Sequence, residues 1–232
     1  MCGRMTMTHP NDAMAQLFQA APSNDLPQPP NYNICPTNMV GVVTASDTGR
    51  GLRPTSTQRA FRPMRWGFIP HWYKKPGGGP LLINARAETI AEKPAFRAAV
   101  RDRRCLIPAT GFYEWTKGED DARLPWYFSR TDGAPLVFAG IWQAWDKGEE
   151  EGPLTTCAIV TTGASDWMSE THHREPVVLA PEDWATWLGE TDAKAAPLMR
   201  AAPEGTYQRW RVDRTVNSNR AKGPDLIAPL AA

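Results

Sequence analysis

Short apolar runs alternate with breaks marked by proline, glycine and polar residues, and only a few of these runs carry a helical period. Met14, Leu17 and Phe18 share one face, which predicts a helix over residues 13–20 capped by Asn11 or Asp12. Residues 21–31 hold four prolines and read as an extended linker. Residues 39–45 form a β-branched run, and 61–69 a second strand interrupted by Pro63. Residues 46–58 and the glycine-rich stretch 74–80 read as loops. Pro94 suits the first turn of a helix reaching Arg103. Residues 105–162 are mostly β, with apolar runs at 105–108, 111–116, 126–129, 135–145 and 154–162. Trp184, Trp187 and Leu188 predict a short helix after Pro181, residues 192–201 another helix, and 207–212 a last strand. The pattern predicts an α+β protein: a single compact domain over residues 1–232, with a curved, mainly antiparallel sheet or barrel flanked by short helices.

Composition narrows this picture. The 232 residues suffice for a sizeable core, and a net charge of +1 argues for no polyanionic partner while leaving room for a locally basic groove. No apolar run reaches membrane-spanning length and no basic-then-apolar leader opens the chain, so a cytoplasmic location is expected. The four cysteines are dispersed without a C-x-x-C pair, against a zinc site or a disulfide framework. Cys35, Cys105 and Cys157 read as small core residues. Ten tryptophans are unusual; most belong to a core, though platforms for bases would also raise the number.

Cys2 stands apart. Its small side chain makes Met1 a target for removal, leaving an α-amine and a thiol on adjacent carbons. The amine has an ordinary pKa of about 7.7–8.0, so a useful fraction is neutral near pH 7. Such an aminothiol condenses with an aldehyde and closes a thiazolidine ring; position alone favours reading a cysteine at a frayed terminus as an incidental residue. Asn84, Arg86 and Glu88 fall on one side of an extended stretch, as a ligand-positioning face or as a solvated strand end. Glu114 lies between bulky aromatics in Gly111-Phe112-Tyr113-Glu114-Trp115, either buried with a raised pKa or facing outward. Thr171-His172-His173-Arg174-Glu175-Pro176 makes a titrating centre or a solvated turn; adjacent histidines rarely chelate one metal. Arg65-Trp66-Gly67-Phe68-Ile69-Pro70-His71-Trp72 mixes cations with aromatics, as a stacking surface or as core with a surface cation.

Taken in order, these segments resemble the successive motifs of the SOS-response-associated peptidase (SRAP) family, the abasic-site-processing proteins. They are Met1-Cys2-Gly3-Arg4, Tyr32-Asn33-Ile34-Cys35-Pro36-Thr37, Arg65-Trp66-Gly67-Phe68-Ile69-Pro70, Asn84-Ala85-Arg86-Ala87-Glu88-Thr89, Arg104-Cys105-Leu106-Ile107-Pro108-Ala109, Gly111-Phe112-Tyr113-Glu114-Trp115 and His172-His173-Arg174-Glu175-Pro176. The resemblance implies a monomeric sensor of abasic sites in single-stranded DNA that needs no metal or cofactor and gathers at the nucleoid when bound. It implies Cys2 as the nucleophile of a thiazolidine cross-link, Asn84 as its positioning group, Glu114 as general acid/base and His172 as donor to the sugar oxygens. It further implies Arg4, Arg86 and Arg174 as phosphate contacts, Trp66 and Trp115 as stacking residues, and lyase-like chemistry with self-removal of Met1. Two residues depart from the family pattern: His173, where Asp is common, and Glu175, where a non-acidic residue is common and whose charge is expected near the DNA path. The remaining alternatives are an N-terminal-thiol amide hydrolase and a non-covalent single-strand-binding module with an inert Cys2.

Overall fold

The computed structural model describes residues 2–45, 59–146 and 153–230. The expected loop at 46–58 and most of the turn at 146–153 lie outside these residues. The chain begins with β1 (Met5–Met7), α1 (Asn11–Phe18), β2 (Ala20–Pro22), β3 (Asn31–Ile34), β4 (Met39–Thr44), β5 (Arg59–Trp66) and β6 (Asn84–Arg86). It continues with α2 (Arg97–Asp102), β7 (Arg104–Ala109), β8 (Gly111–Lys117), β9 (Arg123–Arg130), β10 (Leu136–Trp145) and β11 (Leu154–Gly163). The last elements are α3 (Asp166–Ser169), β12 (Arg174–Pro176), α4 (Trp184–Leu188) and β13 (Tyr207–Arg211). Among the described residues no helix is long and apolar enough to cross a membrane.

Strands β11, β10, β7, β4 and β5 pair antiparallel in that order, and a parallel contact between β5 and β11 closes them into a five-stranded barrel. Closure removes the free edges that a sheet of this length would otherwise expose. β5 leaves β11 after Trp66, opposite Cys157, and β6 takes its place with Asn84 opposite Ile159. Gly67, at φ 136°, makes the departure possible, in a region that side chains avoid. A second sheet runs β13-β9-β8-β1-β3.

Alternation along the barrel strands gives each a two-faced character. Val42, Met64, Trp66, Ile107, Phe138 and Ile159 meet Met5, Phe112 and Phe128 of the second sheet in one buried cluster. Val43, Phe61, Leu106, Ile141 and Val160 face the other way, toward Phe18 of α1, Ala99 of α2 and Trp187 of α4. Both faces of the barrel strands are therefore covered, which explains why residues 105–108 and 157–160 read as unbroken apolar runs.

The mixed sheets and short helices agree with the expected α+β class. Residues 192–201 do not form the expected helix: only a single 3₁₀ turn, Ala196–Leu198, is present. Pro197 removes a donor, and residues 190–194 are exposed, leaving no apolar face to hold a helix. The stretch 21–31 is bounded by β2 and β3, which pair with β5 and β1. Pro63 is accommodated inside β5, between the stretches that pair with β2 and with β11. Cys105 and Cys157 are buried as expected, whereas Cys35 is half-buried.

Trp66 is fully buried and its indole N–H donates to the Ile83 carbonyl at 3.0 Å. Trp66→Ala is expected to cost about 3–5 kcal/mol, lowering Tm by about 2–4 °C per kcal/mol, as thermal denaturation would show.

Candidate active site around Cys2

The first residues are tied down from both sides. β1 lies between β3 and β8, with Met5 opposite both Ile34 and Phe112, and the Tyr113 N–H donates to the Arg4 carbonyl at 3.0 Å. The Arg4 guanidinium turns inward, and its Nη1 donates to Asn33 Oδ1 at 2.6 Å and to the Val216 carbonyl at 2.8 Å. Asn33 in turn donates to the Ser218 and Ala221 carbonyls, at 3.1 and 2.8 Å. The C-terminal segment thus clamps the start of the chain.

Cys2 is fully buried, and its carbonyl accepts from Asn84 Nδ2 at 2.9 Å. That bond fixes the amide of Asn84 and leaves its Oδ1 buried without a hydrogen-bond partner among the described residues. Glu114, on β8, is buried, and desolvation raises its pKa above the ordinary carboxylate range. Burial also pushes the Cys2 thiol up, and the Glu114 charge adds to that rise, which places carboxyl and thiol within electrostatic reach. His172 is half-buried, and burial lowers its pKa to about 4. Its Nδ1 lies 3.0 Å from the Arg174 N–H and 3.1 Å from the Arg174 carbonyl, and its ring stacks on His173 at 4.4 Å. Burial thus pushes the Glu114 carboxyl and the Cys2 thiol up and the His172 imidazole down, disfavouring the charged form of each.

Several expected contacts take other roles. Trp66 is core, so stacking on its face is closed. Trp115 is half-buried, its N–H donates to Asn217 Oδ1 at 2.7 Å, and the Arg123 guanidinium lies 4.6 Å over its ring. Arg4 is occupied internally, as above. Arg174 is buried and forms a bidentate pair with Glu88, at 2.7 and 2.9 Å, while also donating to the Thr161 carbonyl at 2.8 Å. Glu88 does not share a strand face with Asn84 and Arg86, because the chain turns after β6 and delivers it to Arg174. Of the three expected phosphate contacts, Arg86 alone is exposed. Glu175 is not on a surface: it is buried and accepts from Ser165 and Ala202.

Trp72, 45% exposed and followed by exposed Lys74 and Lys75, is the accessible aromatic that Trp66 was expected to be. Its place after Pro70, beyond the apolar run and before the glycine-rich loop, was the available signal. Tyr207 was not singled out in the sequence. Its hydroxyl is buried with no hydrogen-bond partner among the described residues, and its phenol lies within electrostatic reach of Glu175 and Cys2.

Fold and site together define a mixed β-barrel protein in which Asn84 and Glu114 gather around a buried cysteine at position 2. The SOS response associated peptidase (SRAP) family matches residues 1–219, and the chain belongs to that family. It is 32% identical over 233 residues to the abasic site processing protein YoqW of Bacillus subtilis, covering 98% of this chain and 99% of the relative. It is 31% identical over 240 residues to the abasic site processing protein YedK of Escherichia coli, covering 99% and 100%. A solved structure of a protein from Bacteroides thetaiotaomicron has the same fold, with a TM-score of 0.83 at 23% identity over 99% of this chain and 100% of that one. A phage-related protein from Bordetella bronchiseptica superposes with a TM-score of 0.67 at 30% identity, over 91% of this chain and 94% of that one.

The Glu88–Arg174 pair makes a testable contribution. The Glu88 pKa is lowered to about 2, chiefly by its hydrogen bonds from Arg174. A depressed carboxylate pKa stabilises the fold above the unfolded value and loses that effect as pH falls through about 2. Because Glu88 is half exposed, the effect is screened to about 0.5–1 kcal/mol. Glu88→Gln is expected to lower Tm by about 1–4 °C at pH 7, with the difference from wild type vanishing in strong acid.

Proposed function

We propose that this chain captures abasic sites in single-stranded DNA by a covalent bond to Cys2, acting as a single-domain monomer in the cytoplasm. The relatives YoqW and YedK carry abasic site processing in their names. The observation that carries the reading is the hydrogen bond from Asn84 to the Cys2 carbonyl beside the buried Glu114.

Removal of Met1 frees the Cys2 amine. The neutral amine attacks C1′ of the ring-opened deoxyribose, whose aldehyde oxygen takes up a proton. Glu114, whose carboxyl pKa is raised by burial, acts as the acid: it donates to the carbinolamine hydroxyl, which leaves as water and yields the protonated imine. The Cys2 sulfur then adds to the imine carbon, closing the thiazolidine ring. Its proton passes to the Glu114 carboxylate and the former imine nitrogen ends as a secondary amine, so the acid is regenerated. His172, neutral at working pH, donates from one ring nitrogen to the sugar oxygen during ring opening and reversal. The ring blocks β-elimination and keeps the strand intact.

Amide hydrolysis by the same cysteine would need a thiolate, and burial opposes thiolate formation. Addition to an imine lets the thiol lose its proton as the bond forms. The lesion must be splayed out of the stack to reach Cys2. Exposed Arg86 and the Trp72–Lys75 segment are proposed to guide the strand, while Trp115 with Arg123 offers a partly open aromatic face.

Two outcomes follow. Wild type forms an adduct with abasic single-stranded DNA that survives denaturing electrophoresis, Cys2→Ala forms none, and Cys2→Ser forms one only after borohydride trapping. An undiminished adduct with Cys2→Ala would remove the reading. Cross-linking rate against pH is expected to be bell-shaped, since it needs a neutral amine and a protonated Glu114. Glu114→Gln is expected to react more slowly and leave a single rising limb, checked by quenched time courses across pH.

A further inference from the structure

We propose that Glu175 is a positioning residue: its buried carboxyl group closes the base of the loop that carries His172 and so holds that imidazole at the site. Its relevance to catalysis rests on the reaction proposed above.

The loop leaves the end of β11 and returns as β12, with Gly163 opposite Arg174 and Thr162 opposite Glu175. Glu175 is 1% exposed, and both of its oxygens are used. Oε2 accepts from the Ser165 N–H at 2.8 Å and from the Ser165 hydroxyl at 2.9 Å, while Oε1 accepts from the Ala202 N–H at 2.7 Å. Ser165 is also the cap of α3, its oxygen accepting from the Met168 N–H at 3.4 Å. The end of α3 delivers His172, whose N–H donates to the Met168 carbonyl at 3.0 Å. The Ala164 N–H donates to the His173 carbonyl at 3.2 Å, closing the loop from the other side. A connected path therefore runs from the Glu175 carboxyl through Ser165 and α3 to His172.

The donor pattern explains why a carboxyl group belongs here. Three donors arrive from two directions, and each direction needs an acceptor. Glutamine offers one acceptor and one amide NH₂, so either the Ser165 donors or the Ala202 N–H would meet another donor. An apolar side chain would leave all three without this partner, at the cost that attends buried polar groups. The groups facing His172 include the His173 ring and the backbone and charge of Arg174, while both Glu175 oxygens are taken up by Ser165 and Ala202. The Glu175 carboxyl therefore acts through the shape of the loop, not as a direct partner of the imidazole.

The test compares Glu175→Gln and Glu175→Asp with wild type in full-length protein. The His172 titration is followed by NMR, with His172→Asn used for assignment, and adduct formation is timed on abasic single-stranded DNA. Glu175→Gln is expected to move the His172 pKa upward from about 4, toward the ordinary value of about 6.5, as the loop admits water. It is expected to slow cross-linking about tenfold or more. In a His172→Ala background it should add no further slowing, because both changes act through one group. Glu175→Asp, which keeps both acceptors, should retain more of the rate than the glutamine. An unchanged His172 titration, or full slowing in the His172→Ala background, would overturn the role. If Glu175→Gln does not fold, Ser165→Ala removes one donor, keeps the carboxyl group, and is read by the same two measurements. Should wild type form no adduct, the reaction reading falls, while the titration still decides the positioning claim.

Discussion

A polypeptide terminus frays unless its first residues are tied to the body of the protein. Here the Cys2 carbonyl is held by Asn84 on β6, and the next turn of backbone is held through Arg4, Asn33 and the carbonyls of residues 216–221. The barrel makes the first of these contacts possible. β6 replaces β5 beside β11, so a residue of β6 arrives at the mouth of the barrel cluster where Cys2 is buried. Asn84 takes its fixed position relative to the terminus from the parallel pairing of β6 with β11, where it lies opposite Ile159.

Burial then sets the chemistry. Desolvation disfavours every charged form, so it raises the Glu114 carboxyl, raises the Cys2 thiol and lowers the His172 imidazole. The site is biased toward neutral groups. The proposed imine formation and ring closure would draw on that pattern: one proton donor for departing water and one acceptor for the thiol proton. The buried Arg174 charge is neutralised by Glu88, and Arg86 remains exposed.

Much of the sheet was legible because the strands between residues 104 and 163 are long, apolar and separated by turn residues. The three- and four-residue strands β1, β3 and β12 were not, since a period of two needs more positions to register. Barrel closure was also hidden, because a two-pair parallel contact between distant segments leaves no local mark. At the site, Cys2, Asn84, Glu114 and His172 were named from their motifs, and Asn84 does reach Cys2. Residue type misled where direction mattered. Arg4, Arg174 and Glu175 look like surface charges in the sequence, but each points inward to defined partners. Trp66 and Trp72 differ by six positions, yet the first ends a barrel strand and the second stands in solvent.

The account depends on the amine and thiol of Cys2 acting together after Met1 is lost. Intact-mass spectrometry of the protein incubated with an abasic single-stranded oligonucleotide tests this most directly. The predicted species is the chain lacking Met1 plus one oligonucleotide less one water, and it should persist without reductant. A cross-linked species that retains Met1, or that appears only after reduction, would contradict it.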